Sequence, residues 1–246
     1  MNWEPERYIL GIRHKRIFKF MNHSGEILDE LIKLQGKDAF PLKCFSRFGK
    51  DRDGGYYKLH DDEETFIVEV NTDGVIFTVD MDAEPVLKVQ EIEDSFCKIL
   101  DIVFKVTGGN STIDRIGIVN TFKIEDIKDL PECVIGNIVK INSAGQPDDI
   151  AIRTSFKAKT EESKTKGGCF DYKNAIIQMM TTKKDADEDS PFDTLRASID
   201  YQIYFKPFRS YKKEYVIQHH KDFKDYRETI LTSNFSKIAE RLDNVS

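Results

Sequence analysis

The segment from Leu195 to Phe205 constrains the fold more than any other part of this sequence. Apolar side chains occupy every second position in it, and mostly polar side chains occupy the positions between them. A period of two is typical of a β-strand with one face against a core and the other toward solvent. Strands of this kind build antiparallel sheets with one covered face, so the segment predicts helices packed on an antiparallel sheet.

The other hydrophobic patterns indicate that one order of elements occurs twice along the chain. Each part has a strand, a helix, three strands separated by turns, and a second helix. In the first part these elements span 7–20, 22–36, 42–48, 66–70, 75–81 and 85–106. In the second part they span 113–124, 127–141, 149–159, 174–182, 195–205 and 211–242. Loops separate them, including a charged turn over 49–55 and a polar loop over 160–168.

We therefore predict an α+β protein made of two similar halves. Each half is a strand, a helix, a three-strand antiparallel meander and a helix, and the second half ends with a long C-terminal helix. We place the halves at residues 1–110 and 111–246, within one compact unit. They share no close sequence repeat, so internal duplication is a hypothesis based on element order. The halves either share a sheet or abut, and the alternative is a single curved sheet wrapped on the last helix.

Composition and motifs argue against several classes of protein. No apolar run reaches the roughly 18–20 residues that span a bilayer, and the first residues do not resemble a signal peptide, so we expect a cytoplasmic protein with no membrane partner. The four cysteines are far apart, which disfavours zinc and redox sites and favours reduced, mostly buried thiols. No phosphate-binding loop or nucleophile motif is present. We expect no cofactor and no catalytic residues.

The charge distribution supports our first functional hypothesis. Net charge is −6, and the segment from Leu59 to Phe96 contains twelve acidic residues but only one basic residue. The densest acidic cluster is Asp61, Asp62, Glu63 and Glu64, which we expect in a surface turn. We predict a non-catalytic interaction or accessory protein that binds another protein, or a second copy of itself, through this acidic surface. The negative net charge disfavours nucleic acid as a partner.

Two other hypotheses use residues of the last helix. In the first, a nucleotide or nucleic-acid binding protein, Lys212 and Lys213 stand among aromatic residues at the start of that helix, a combination that can hold single strands. In the second, a metal-assisted hydrolase, Asp80 and Asp82 act with His219 and His220. One of these histidines could share a helix face with Asp222, although adjacent histidines point about 100° apart.

The stretch from Ile113 to Asn120 resembles the central signature, R-I-G-L-R-Y-I-N, of a sporadically distributed, uncharacterised family of bacterial proteins of similar length. Asn120 follows Arg115 by five positions, where the family has seven; both offsets are odd, so the two side chains lie on opposite faces of the strand. Either residue could contact a ligand. The resemblance implies a fold more than an activity. Sporadic distribution is common among mobile genes, so it also implies a place in a bacterial defence or toxin–antitoxin-like system.

Overall fold

The computed structural model of the chain describes residues 2–34, 47–50, 55–82, 87–108, 111–139, 149–165, 167–168, 170–183 and 191–243. They form one antiparallel sheet of nine strands with helices packed on one face, which confirms the α+β prediction. The strands are β1 (Glu4–His14), β2 (Arg47–Lys50), β3 (Tyr56–His60), β4 (Phe66–Asn71), β5 (Gly74–Asp80), β6 (Thr112–Ile124), β7 (Ala151–Lys159), β8 (Tyr172–Lys183) and β9 (Phe192–Ser210).

The main helices are α1 (Lys19–Ile32), α2 (Val89–Val106) and α5 (Lys213–Ile230). Shorter helices are α3 (Leu130–Cys133), α4 (Glu161–Thr165) and α6 (Ser236–Asp243). A π-helical segment, Val134–Val139, extends α3, and a second, Leu231–Phe235, joins α5 to α6. The C-terminal helix therefore runs without a break from Lys213 to Asp243, as the sequence predicts. No helix in the described part of the chain is long and apolar enough to cross a bilayer.

The order of the strands shows how the two halves combine. Across the sheet the order is β2-β3-β4-β5-β1-β6-β9-β8-β7, so the first strands of the two halves, β1 and β6, pair at the centre. Each meander then returns to place its last strand, β5 or β9, on the outer side of its own first strand. The halves thus share one sheet and are arranged about its middle with approximate twofold symmetry.

The register of β1 against β6 places two similar triplets opposite each other. Arg13, Ile12 and Gly11 pair with Arg115, Ile116 and Gly117, respectively. Because the strands are antiparallel, the sequence Gly-Ile-Arg in one strand faces Arg-Ile-Gly in the other. The two glycines are opposite each other at the centre of the sheet. The two arginines are opposite each other as well, two residues away along each strand.

The hydrophobic core lies between the sheet and the helices. Tyr8 and Leu10 of β1, Phe77 of β5 and Ile118 of β6 are fully buried and point toward the helices. Phe96 of α2 and Phe223 of α5 lie in the same apolar cluster. Burying each such side chain stabilises the fold by roughly 1.5–3 kcal/mol, so α2 and α5 are held on the sheet mainly by this cluster.

Several predicted boundaries differ from the structure. The first strand ends at His14, not at residue 20. Helix α1 begins at Lys19, before the predicted start at residue 22, because the amide of Phe20 donates a hydrogen bond to the carbonyl of Ile17. The predicted polar loop over 160–168 contains the short helix α4.

The predicted three-strand meander of the first half was wrong, since four consecutive strands are present. The additional strand is β3, whose buried Tyr57 and Leu59 are separated by polar residues and followed by the acidic cluster, which obscured the pattern. The turn predicted over 49–55 begins inside β2, which extends to Lys50. The predicted strand over 42–48 lies mostly outside the described residues, as do the predicted helix start at Pro85 and two of the cysteines, Cys44 and Cys169.

Candidate ligand-binding face

The sheet face opposite the helices, here called the open face, has no described helix packed on it. Residues that pair across neighbouring strands point to the same side, so the register groups the open face into rows that cross the sheet. One row contains Arg13, Arg115, Tyr204, Tyr172 and Lys159, in that order from β1 to β7, and we call it the aromatic–basic row. The next row contains Gly11, Gly117, Gln202, Asn174 and Lys157.

The two tyrosines of the aromatic–basic row stack on each other and attract cations on both sides. The ring centroids of Tyr172 and Tyr204 are 4.7 Å apart, with an angle of 9° between the planes. Nζ of Lys157 lies 4.0 Å from the centroid of Tyr172, and Nζ of Lys206 lies 5.6 Å from it. Cζ of Arg115 lies 6.0 Å from the centroid of Tyr204. The π faces therefore attract three cations, two at Tyr172 and one at Tyr204.

Positive charge in the aromatic–basic row and on the two lysines beside it, Lys157 and Lys206, is only partly neutralised. Arg13 forms an ion pair with Asp114, at 2.5 Å between Nη2 and Oδ2. Within the described part of the chain, no carboxylate lies within ion-pair distance of Arg115, Lys157, Lys159 or Lys206. No acidic residue belongs to the row itself. An anionic ligand would thus meet several cations that do not first have to leave a carboxylate.

A hollow of about 290 Å³ lies beside the aromatic–basic row, above the central strands. Its floor is Gly11 and Gly117, where the sheet carries no side chains. Arg13 and Arg115 stand at one end, Ile9 and Val119 at the other, and Asp200 and Gln202 form the wall on the β9 side. The side toward β5 is lined by Asn71, Asp73, Gly74 and Ile76. The hollow is therefore polar on the β9 wall and at the arginine end, and apolar at the end formed by Ile9 and Val119.

The β9 wall is held in place by hydrogen bonds along the strand. Nε2 of Gln202 donates to both carboxylate oxygens of Asp200, at 2.8 and 2.6 Å, and the hydroxyl of Tyr204 donates to Oε1 of Gln202. Burial raises the pKa of the Asp200 carboxyl, whereas Gln202 and the nearby Arg115 and Arg153 act to lower it. Asp200 is thus a partly buried, oriented acceptor, and it lies level with Val119, on the side of the floor away from Arg115.

The predicted acidic cluster forms the turn between β3 and β4, where Asp62, Glu63 and Glu64 are exposed. Asp61 has a structural role, because its Oδ1 accepts the amide of Phe66 at 3.0 Å. Glu64 pairs with Lys58 at 2.6 Å, and this contact lowers the pKa of the Glu64 carboxyl. The cluster is a surface turn, as expected, although part of its charge is balanced within the chain.

Other acidic residues in the segment from Leu59 to Phe96 are also paired or hydrogen-bonded within the chain. Asp73 pairs with Arg16 at 2.7 Å, and Asp82 pairs with Lys123 at 2.8 Å. Glu69 accepts the hydroxyl of Tyr56, and Glu91 caps the start of α2. Basic residues from other parts of the chain thus offset two of these acids, and two more accept hydrogen bonds within the chain, which lessens the need for a basic partner.

The other predicted binding residues lie apart from one another. Asn120 is buried on the helix side, where its Nδ2 donates to the carbonyl of Arg7 at 3.1 Å, so it joins β6 to β1. Arg115 faces the opposite side, as predicted, and lines the hollow. Lys212 is exposed just before α5, and Lys213 begins that helix near Asp101 of α2.

The structure does not bring the weak metal candidates together. His219 contacts the carbonyl of Tyr201 at 3.2 Å, and Asp222 pairs with Lys173 at 2.5 Å. His220 lies between Tyr8 and Glu93 in the core. Asp80 accepts the amide of Asp82 at 2.9 Å and so closes a local turn. Among the described residues, no group of three or more His, Cys, Asp or Glu side chains is placed to hold a metal ion.

Sequence analysis missed the aromatic–basic row and most of the hollow. Alternation in the strand over 195–205 does indicate that Asp200, Gln202 and Tyr204 share a face. It cannot show that this face adjoins Arg115 on one side and Tyr172 on the other, because the chain separates these residues widely. Comparison with protein-family models and with curated proteins found no match for this chain.

Proposed function

We propose that this protein binds single-stranded nucleic acid on the open face, along the aromatic–basic row. One observation carries the proposal: four cations surround the stacked Tyr172 and Tyr204. Arg115 and Lys159 lie in the row, Lys157 and Lys206 lie beside it, and no acid belongs to the row. Phosphate contacts from lysine and arginine supply most of the non-specific affinity for nucleic acid. Aromatic residues interleaved with such cations are typical of surfaces that hold single strands.

The distribution of charge reconciles this proposal with the negative net charge. The acidic residues concentrate in the turn between β3 and β4, in β4 and β5, and in α2. The exposed edge strand β7, by contrast, contains Arg153, Lys157 and Lys159 and no acidic residue. Local potential, more than net charge, steers a charged ligand to a surface. Amide side chains of Asn174 and Gln178 on the same face also favour nucleic acid over an acidic protein, since amides can bond to base edges.

A charge-reversal experiment tests the proposal. The variant Arg115→Glu/Lys157→Glu/Lys159→Glu is compared with Lys212→Glu/Lys213→Glu, which reverses charge at the start of α5. Fluorescence anisotropy with a labelled oligonucleotide, at several salt concentrations around 150 mM, reports affinity. We expect the first variant to lose binding and the second to keep it. In the wild type, log Kd should change with log salt by roughly 0.7 per phosphate contact.

Three outcomes would contradict the proposal. If the wild-type protein shows no salt-dependent binding of the oligonucleotide, the proposal is wrong. Equal affinity for polyglutamate and for the oligonucleotide would instead assign the open face to an acidic protein partner. Loss of binding only in Lys212→Glu/Lys213→Glu would move the nucleic-acid site to α5.

The interaction role inferred from the acidic surface is a second candidate. One observation favours it: Asp62, Glu63 and Glu64 project together from an exposed turn. Acidic clusters raise association rates with basic partners. A place in a defence or toxin–antitoxin-like system rests on the family resemblance alone, and the identity of the neighbouring genes would test it.

A further inference from the structure

The fold alone does not account for the two glycines in the floor of the hollow. Glycine in a strand interior weakens the strand because it has no side chain to pack and loses more backbone freedom on folding. Gly11 and Gly117 do not have the positive φ that requires glycine. A Cβ at Gly11 would lie 3.7 Å from Cγ1 of Ile76, and one at Gly117 would lie 3.7 Å from Cγ of Gln202, both ordinary contacts. Because Gly11 and Gly117 have no side chains, the floor of the hollow is open.

Side chains on one side of this floor offer hydrogen-bond donors, and side chains on the other side offer acceptors. Arg115 lies two residues before Gly117 and is not paired with a described carboxylate, so its guanidinium donors remain available. Asp200 pairs with Val119, which is two residues after Gly117, so the carboxylate stands on the other side of the floor. Hydrogen bonds from Gln202 fix that carboxylate, and each of its oxygens retains a lone pair.

A flat ligand over Gly117 would meet arginine donors at one end and carboxylate acceptors at the other. Among nucleobases, guanine matches this order, since N7 and O6 accept while N1–H and the N2 amino group donate. Arginine bonding to O6 and N7 of guanine is the commonest specific contact to a base. Adenine has an amino donor where guanine has O6, and that donor would face the guanidinium.

We propose that the hollow is a base-recognition site that prefers guanine, with Arg115 donating to O6 and N7 and Asp200 accepting from N1–H and the N2 amino group. Ile9 and Val119 provide the apolar end against which the ring packs. The site rests on the proposed function, because the aromatic–basic row would hold the phosphates of the strand whose base enters the hollow.

The test uses short single-stranded oligonucleotides that are identical except for one central base: guanine, inosine, adenine or cytosine. Affinity is measured by anisotropy for the wild type and for Asp200→Asn, Gly117→Ala and Ser198→Ala. Ser198 is on β9 and points to the same face, but it does not line the hollow. Thermal melting of every variant verifies that it folds. Gly117→Ala, which changes no charged side chain and whose Cβ would make only an ordinary contact with Gln202, covers the case in which Asp200→Asn does not fold.

We expect the guanine oligonucleotide to bind the wild type about tenfold more tightly than the adenine one, within the range for a good bidentate contact. Inosine, which lacks the N2 amino group, should fall between them. Asp200→Asn and Gly117→Ala should abolish the preference while the adenine oligonucleotide binds as before. Ser198→Ala should behave as the wild type.

Three results separate the site from the general function. If all four oligonucleotides bind the wild type equally and with salt dependence, the guanine site is wrong and the proposed function stands. If no oligonucleotide binds but free GMP binds and AMP does not, the guanine site stands and the function along the row is wrong. If neither the oligonucleotides nor GMP bind, both proposals are wrong.

Discussion

The hydroxyl oxygen of Tyr8 lies 2.7 Å from Nε2 of His220, and this contact joins the central strand β1 to the C-terminal helix. On its other side, Nδ1 of His220 contacts the carboxylate of Glu93 in α2. All three side chains are almost completely buried. A carboxylate only accepts hydrogen bonds, so His220 donates from Nδ1 to Glu93 and accepts at Nε2 from the Tyr8 hydroxyl.

Removing the Tyr8 hydroxyl should destabilise the protein. Tyr8→Phe leaves Nε2 of His220 buried without a partner, which costs roughly 1–3 kcal/mol. Urea unfolding monitored by circular dichroism measures this loss. Tyr226→Phe is a suitable control, because the hydroxyl of Tyr226 has no hydrogen-bond partner among the described residues. Equal free energies of unfolding for the two variants would show that the Tyr8–His220 contact contributes nothing.

The protein should lose stability as the pH falls below about 6.5. Burial lowers the pKa of His219 to about 3, and it also lowers the pKa values of His14 and His220. Below pH 6.5 the unfolded chain binds protons at these histidines, while the folded protein does not, so acid favours unfolding. From pH 7 to pH 5, His219 alone should account for a loss of roughly 2 kcal/mol.

Free energies of unfolding measured at several pH values would check this dependence. His219→Phe keeps a ring to stack on Tyr201, whose centroid is 5.1 Å away in the native protein. The variant should be less stable than the wild type at pH 7, because the bond to the carbonyl of Tyr201 is lost, but its stability should decline less toward pH 5. A slope as steep as that of the wild type would contradict the assignment to His219.

The end of the C-terminal helix should be required for folding. Phe235 is buried, its carbonyl accepts the indole N–H of Trp3 at 2.9 Å, and the two rings lie 4.8 Å apart. Deleting residues 229–246 removes Phe235 and Leu242 from the core, so we expect insoluble or molten protein. Phe235→Ala should cost roughly 3–5 kcal/mol. A truncated chain with an unchanged melting temperature would contradict this prediction.

The acidic turn provides a test of the interaction role that leaves the fold intact. Asp62→Lys/Glu63→Lys reverses two exposed charges and keeps Asp61, which the amide of Phe66 requires. If a basic partner binds here, the variant should lose that partner or its oligomeric state with little change in melting temperature. Size-exclusion chromatography with light scattering at low and high salt measures this. An unchanged assembly state in both salts would leave the turn without a docking role.

Local patterning in the sequence was sufficient for most of the elements. Alternation identified β4, β5 and β9, and the helical period identified α2 and the C-terminal helix, because one face of each is buried in a single core. The same reasoning missed β3, where charged neighbours obscured two buried positions. It also placed the start of α1 too late, because that start is set by the amide of Phe20 donating to the carbonyl of Ile17, a backbone contact that side-chain patterning does not show.

The sequence by itself determined that this chain forms an α+β protein of two similarly ordered halves, since periods of two and of 3.6 depend only on which residues lie next to one another. Only the tertiary structure decided that the halves share one sheet with β1 beside β6. That pairing puts Gly11 against Gly117 and aligns Arg115 with Tyr204 and Tyr172. Register between distant strands arises from burial of the whole inner face, so it cannot be read from any one segment. The candidate site is a product of that register.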